Sequence, residues 1–257
     1  MISLERRERA EVVRSALEAA QTRSPLRLPA DIVARYRAPA ETTIFPLEYA
    51  FHLLGDVRGK TILEYGCGDG ENTVLLANRG AKIVALDISP ELLDVARQRL
   101  EVNGCEGVDL LVGSAHCLPL PDKSVDIIFG MAILHHLDLE LASREVCRVL
   151  KKGGRAIFEE PMRNSKLVSK VRGCFPKRGD VSPFERPLTA KEMRDFAGPC
   201  KYRPQTFQLP LSSFASLVPF RKRQARRLGN RIDAYLLRQF PSLAYYGTIN
   251  VFEVLKE

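Results

Sequence analysis

The chain contains no tryptophan, and only four histidines and four methionines among its 257 residues. Its six cysteines (Cys67, Cys105, Cys117, Cys147, Cys174 and Cys200) stand singly. With no CxxC pair and no metal-ligand spacing, neither a zinc site nor a disulfide framework is expected. No apolar run reaches the roughly 18 residues that a membrane span needs. The first residues are charged from Glu5 onward and lack the apolar core of a signal peptide. A cytoplasmic protein without a bound metal is the expectation. No G-x-x-x-x-G-K-[ST] sequence occurs, which excludes a P-loop.

What is present is unevenly charged. Residues 161–240 hold 18 Lys+Arg against 5 Asp+Glu, whereas the remainder holds 21 against 26, so the net charge of +8 belongs to one late segment. Such a segment forms a solvated basic face or meets something anionic: a phosphorylated or carboxylated substrate, a membrane or nucleic acid.

The hydrophobic pattern predicts a helix over residues 3–20, capped by Ser3, then a proline-rich loop or short broken helix over 21–40. From residue 60 strands and helices alternate. Strands are predicted at Thr61–Tyr65, Lys82–Asp87, Val108–Val112, Ser124–Gly130 and Arg155–Glu159. Between them lie helices at Asn72–Arg79, from Pro90 to about Val102 with Ser89 as cap, and at Leu139–Leu150, stopped by Lys151-Lys152-Gly153-Gly154. This alternation predicts a parallel sheet covered on both faces. After Pro161 the rhythm changes to a proline- and arginine-rich loop over 161–188. A capped helix follows at Thr189–Phe196, then a strand at Thr206–Leu211, a basic amphipathic helix over 221–240 and a last strand at Tyr246–Leu255. In the basic helix Ala225, Leu228, Ile232, Leu236 and Phe240 recur at helical spacing among arginines. The simpler expectation is a lid helix with that apolar stripe on the domain. The sharper one is contact with an anionic acceptor or a membrane surface.

The stretch that carries chemistry is Leu63-Glu64-Tyr65-Gly66-Cys67-Gly68-Asp69-Gly70. A strand ends in Glu, and Gly-x-Gly-x-Gly turns into a helix, so that backbone can approach a ligand without intervening side chains. Asp87, 21 residues after Gly66, ends the second strand and is placed to accept hydrogen bonds from ribose hydroxyls. A nucleoside ligand follows. The third glycine of the dinucleotide fingerprint is replaced by Glu71, whose carboxylate would repel a pyrophosphate, so a dinucleotide is disfavoured.

The E-x-G-x-G-x-G pattern with Asp87 resembles the class I S-adenosylmethionine-dependent methyltransferases. Three further segments resemble the family in the same order: Gly113 to Asp126, His135-His136-Leu137, and Val149-Leu150-Lys151-Lys152-Gly153-Gly154. The small-molecule, quinone-biosynthesis-like group (the type 11 domain) is the most similar. The resemblance implies a Rossmann-like, seven-stranded, mostly parallel sheet with helices on both faces, an antiparallel last strand and helical lid insertions. Residues 1–58 would form an N-terminal helical cap, 59–160 the cofactor-binding core, and 161–257 the acceptor lid with the last strands. It implies that Gly66, Gly68 and Gly70 cradle S-adenosylmethionine. Glu64 would orient its amino group or brace the loop, Asp87 would hold the ribose, and Ile88 would pack on the adenine. Ser114 stands where the family usually has Asp, beside Ala115, and His116 replaces a frequent Glu. Met131 would close the site over the methyl group.

Methyl transfer needs alignment above all, and an oxygen acceptor of high pKa also needs a base. His136, His135 and Glu160, beyond the ends of strands four and five, are the candidates in that order. A small-molecule acceptor, with oxygen preferred and an anionic or lipid-like metabolite included, is the reading. One alternative is an RNA methyltransferase. It is disfavoured because Gly130 to His135 offers neither an Asn/Asp-Pro-Pro-Tyr motif nor an aromatic to stack a flipped base. The other is a catalytically silent module that binds the cofactor. Oligomeric state is not legible.

Overall fold

The computed structural model describes residues 4–21, 25–165, 186–210 and 222–257. The expected cap Ser3, most of the 161–188 loop and the start of the basic helix at Arg221 lie outside them.

Seven strands, β1 (Thr61–Tyr65), β2 (Lys82–Asp87), β3 (Val108–Val112), β4 (Val125–Met131), β5 (Leu150–Pro161), β6 (Lys201–Phe207) and β7 (Ile249–Leu255), form one sheet in the order β3-β2-β1-β4-β5-β7-β6. The first five run parallel, and β7 lies antiparallel to both β5 and β6. Strand order reverses between β1 and β4, the switch point at which such sheets bind ligands beyond their C-terminal ends.

Among the described residues the α-helices are α1 (Leu4–Gln21), α2 (Ala30–Arg37), α3 (Pro46–Leu53), α4 (Glu71–Ala77), α5 (Pro90–Val102), α6 (Leu139–Val149), α7 (Ala190–Ala197) and α8 (Lys222–Gln239). Two apolar cores cover the two faces of the sheet. Leu63, Tyr65, Ile128, Phe158 and Phe252 pack with α6 and α7 on one side. Ile62, Ile83, Phe129, Ile157 and Val251 pack with Ala50 and Phe51 of α3, with Leu54 just beyond it and with α4 on the other. The central strands are apolar on both faces because both are buried.

Local chemistry sets several boundaries. Ser89 caps α5 by accepting the Leu92 N–H at 3.3 Å. Asp138 caps α6, and Thr189 with Glu192 forms a capping box on α7. The short helix allowed for within residues 21–40 is α2, with Pro29 at its start, Asp31 in its first turn and Arg35 and Arg37 in its last. Three differences from the sequence pattern have physical causes. The Lys151–Gly154 stretch does not merely stop α6. It begins β5 with a register shift opposite Val125, and Gly153 at φ 76° donates to the Lys256 carbonyl at 2.8 Å. β6 begins at Lys201, before the expected Thr206, because Pro204 is tolerated on a strand that forms the sheet edge. The apolar stripe of α8 packs on the domain only in part: Leu228, Ile232 and Phe240 are exposed and Ala225 and Leu236 half-buried, whereas the polar Asn230 and Asp233 are buried.

Candidate active site

β1 delivers the chain to the switch point, where the backbone must turn at once. The Leu86 carbonyl accepts from both Gly66 and Cys67 N–H at 2.9 Å. Gly66, Gly68 and Gly70 have φ of 78°, 54° and 81°, a region costly for other residues. Their reasons for lacking a side chain differ. A Cβ on Gly66 would lie 2.7 Å from Ile133 Cδ1, and one on Gly70 would lie 2.8 Å from Ala96 Cβ. A Cβ on Gly68 would meet nothing within 4 Å. Two glycines therefore allow packing, and the third leaves space open.

Asp87 locks this loop. Its Oδ2 accepts the Gly68 N–H at 2.9 Å, and its Oδ1 accepts the Ser89 N–H at 3.0 Å. Burial raises its pKa above the usual carboxylate value, against the lowering effect of these hydrogen bonds. Glu64, fully enclosed, accepts the Thr73 hydroxyl at 2.6 Å, tying β1 to α4. Burial pushes its carboxyl up to about 8.

A cavity of about 370 Å³ opens above the loop, a size within the range of small-molecule sites. Gly66, Gly68, Asp87, Ile88, Ala115 and Met131 line it, as do His135 and His136. Glu64, Gly70, Ser114 and Glu160 do not line it; they brace it from behind. The remaining wall is α1, whose Arg7, Glu8, Glu11, Arg14 and Ser15 face the cavity. This wall combines an acidic group at a strand end, open backbone and apolar side chains, a donor set that suits a nucleoside with an aliphatic tail. It fits S-adenosylmethionine.

Each histidine in this region meets a carboxylate. His116 Nε2 accepts the Asp138 N–H at 2.9 Å, so Nδ1 carries the ring proton and donates it to Glu8 at 3.0 Å. Ser114 also donates to Glu8 and accepts the His116 N–H at 3.0 Å. His135 Nδ1 lies 2.8 Å from Glu160 Oε2. Glu160 Oε1 accepts the N–H groups of Ile133 at 2.8 Å and Leu134 at 2.6 Å. Both oxygens of this buried carboxylate are thus engaged within the protein. His136 Nδ1 lies 3.3 Å from Glu11 Oε2, within ion-pair distance but without hydrogen-bond alignment. The two histidine rings sit 4.1 Å apart. Glu159 points to the other face of the sheet, where burial and then the Glu160 charge push it up to about 7.

The contribution of α1 has no signal in the sequence. Glu8 lies 106 residues from Ser114, and only the tertiary fold joins them. Its carboxylate supplies, from another element, a negative charge where position 114 carries only a hydroxyl.

Residues 63–158 match the family of methyltransferase domains called Methyltransf_11. The malonyl-[acyl-carrier protein] O-methyltransferase of Serratia marcescens is 37% identical over 101 residues, which span 39% of this chain and 38% of that protein. The demethylmenaquinone methyltransferase of Lactococcus lactis is 32% identical over 147 residues, 56% of this chain and 58% of that protein. The chain thus covers less than two thirds of the length of either relative. Among solved structures, geranyl diphosphate C-methyltransferase from Streptomyces coelicolor superposes with a TM-score of 0.59 at 16% identity, over 82% of this chain and 78% of that one. That likeness is one of fold. With its glycine loop, its 3-2-1-4-5-7-6 sheet and these relatives, the chain carries a methyltransferase domain on the fold of the S-adenosylmethionine-dependent methyltransferases.

Proposed function

We propose that the chain is an enzyme that transfers a methyl group from S-adenosylmethionine to a small-molecule acceptor, and that the acceptor atom is oxygen. The observation that carries this reading is the placement of Gly68, Asp87 and the His135–His136 pair on one cavity at the switch point. Residues 1–58 act as the cap, 59–160 as the cofactor core and 161–257 as the acceptor side.

Gly66 and Gly68 admit the cofactor close to the backbone, and Asp87 accepts from its ribose hydroxyls. Ile88 packs on the base, and Met131 borders the methyl position. Glu64 and Gly70 brace the loop without touching the ligand. S-adenosylmethionine, when bound, supplies a methyl group on a positively charged sulfur, a good leaving group. The protein then has to hold the acceptor in line and take its proton. With Nδ1–H donated to Glu160, the neutral His135 ring has Nε2 as its basic nitrogen, the arrangement of a general base held by a carboxylate. Glu160 is a positioning residue in this account. His136 is the second candidate base, with Glu11 beside its Nδ1. The histidine would take the acceptor proton as the acceptor oxygen is methylated.

Incubation with methyl-labelled S-adenosylmethionine and a panel of acidic, phenolic and prenylated metabolites tests this. Label transfer to an oxygen, lost in His135→Phe, is the expected result. Tight cofactor binding with no transfer to any acceptor would favour a silent binding module instead.

A further inference from the structure

α8 exposes large apolar residues and buries polar ones. Leu228, Ile232 and Tyr235 recur at i, i+4 and i+7 and so share one face. Their exposures are 59%, 43% and 63%. The opposite face holds Asn230 and Asp233, 4% and 1% exposed. An ordinary surface helix buries its apolar stripe and exposes its polar one. Beside the stripe runs a row of arginines, Arg227, Arg231 and Arg238, all exposed. Among the described residues no carboxylate pairs with Arg227 or Arg231. The apolar surface continues past the helix end, where Phe240 and Tyr245 are 56% and 53% exposed.

Arg227 and Arg231 also reach a second cavity, of about 390 Å³, whose other wall carries Arg35, Thr42 and Thr43. Arg35 is held by Glu48 and lies over the Phe45 ring, 4.7 Å from its centroid. Glu48 also accepts the Thr43 hydroxyl, so Arg227, Arg231 and the Thr42 hydroxyl are the groups this hollow offers a phosphate.

We infer that α8 docks the protein on an anionic phospholipid surface, with Leu228, Ile232 and Tyr235 entering the interface and the arginine row and its hollow taking lipid phosphates. Charge complementarity selects this occupant. An isolated apolar stripe fits many partners, but a stripe flanked by arginines that meet no carboxylate among the described residues fits a surface that is apolar below and anionic above. A second copy of the chain would bring two arginine rows together. A nucleic acid would leave Leu228 and Ile232 in water. The exposed Tyr235, Phe240 and Tyr245 are the residue types that settle at the level of lipid headgroups. No helix among the described residues is long and apolar enough to cross a membrane, so α8 would lie along the surface.

Flotation of the full chain with vesicles tests this, comparing phosphatidylcholine alone with a mixture of phosphatidylcholine and phosphatidylglycerol. The protein is expected to float with the mixed vesicles only, and less so as salt is raised. Each arginine near such a surface contributes about fivefold in partitioning, so Arg227→Glu with Arg231→Glu is expected to weaken binding by about 30-fold or more. Leu228→Ser with Ile232→Ser is expected to weaken it about tenfold, with the circular-dichroism melt of both double variants unchanged. No flotation by folded wild-type protein, or flotation indifferent to both pairs of substitutions, would overturn the proposal. Full competition by soluble glycerol phosphate would also overturn it, assigning the arginine hollow to a free phosphate compound. So would dimerisation abolished by Ile232→Glu without vesicle binding, since the face would then belong to a second copy.

Discussion

The imidazole of His135 and the carboxylate of Glu160 meet at 2.8 Å, and the same carboxylate holds the turn after β4 through the N–H groups of Ile133 and Leu134. One buried acid therefore fixes both the backbone that bears the histidine and the ring's tautomer. Glu160→Gln cannot accept all three hydrogen bonds, because its amide nitrogen must face one of the donors. It is expected to lower stability by about 2–4 kcal/mol and to lower kcat. His135→Phe is expected to lower kcat about 10²- to 10⁴-fold while cofactor affinity changes little. Thermal melts, single-turnover rates and S-adenosylhomocysteine titration separate these effects. An undiminished kcat in His135→Phe would transfer the role of base to His136.

The three glycines should respond differently to alanine. Gly66→Ala and Gly70→Ala place a methyl group at 2.7 and 2.8 Å from neighbouring side chains, in addition to the positive φ. Each is expected to destabilise by about 2–4 kcal/mol. Gly68→Ala meets no neighbour, so only backbone strain of about 1–2 kcal/mol opposes it. Its methyl group would intrude on the cavity, and its main effect should be on cofactor binding. Melting temperatures and titrations of the three variants in parallel would show whether the loop divides in this way.

Glu64 makes stability depend on pH. Its carboxyl is raised from the ordinary 4.5 to about 8 in the folded chain. Between these values the folded protein retains a proton that the unfolded chain has lost, so stability falls as pH rises through this window and levels off above it. Glu64→Gln keeps an acceptor for Thr73 without the titration. It is expected to flatten the pH dependence and to gain on the order of a few kcal/mol relative to wild type near pH 8. Denaturant midpoints across pH 5–9 check this, and an unchanged slope in the variant would contradict it.

Glu8 should read the cofactor's base. Its carboxylate lies at the cavity wall beside Ser114 and His116, where it would accept from the adenine amino group. S-inosylhomocysteine, which carries an oxygen in place of that amino group, is expected to bind wild type at least about tenfold more weakly than S-adenosylhomocysteine, the worth of a hydrogen bond to a charged group. Glu8→Gln should narrow the difference, because an amide can also donate. Equal discrimination by the two proteins would remove Glu8 from the site.

How much of this the sequence discloses depends on the range of the forces involved. β1, β2 and β3 match the sequence reading residue for residue, because apolar runs bounded by glycine or a cap are local signals. Ser89 and Thr189 act as the caps their neighbours imply. The Gly66–Gly70 turn and Asp87 were legible for the same reason: a tight turn at a strand end needs residues adjacent in sequence. What was not legible is made by distant contacts. Nothing in Leu4–Gln21 announces that Glu8, Glu11 and Arg14 will roof a cavity built 60 to 130 residues later. The helical period of α8 identifies the helix, but a period cannot tell which face turns inward. Cys147 and Cys200, single in the sequence, come within 3.7 Å in the fold.

The central claim is the cofactor, and calorimetric titration with S-adenosylhomocysteine tests it most directly, with Asp87→Ala in parallel. Asp87 is predicted both to bind the ribose and to hold the Gly68 N–H, so the variant should bind about 10- to 100-fold more weakly than wild type. Well-folded wild-type protein that takes up no S-adenosylhomocysteine, or an Asp87→Ala variant that binds it equally well, would contradict the account at its foundation.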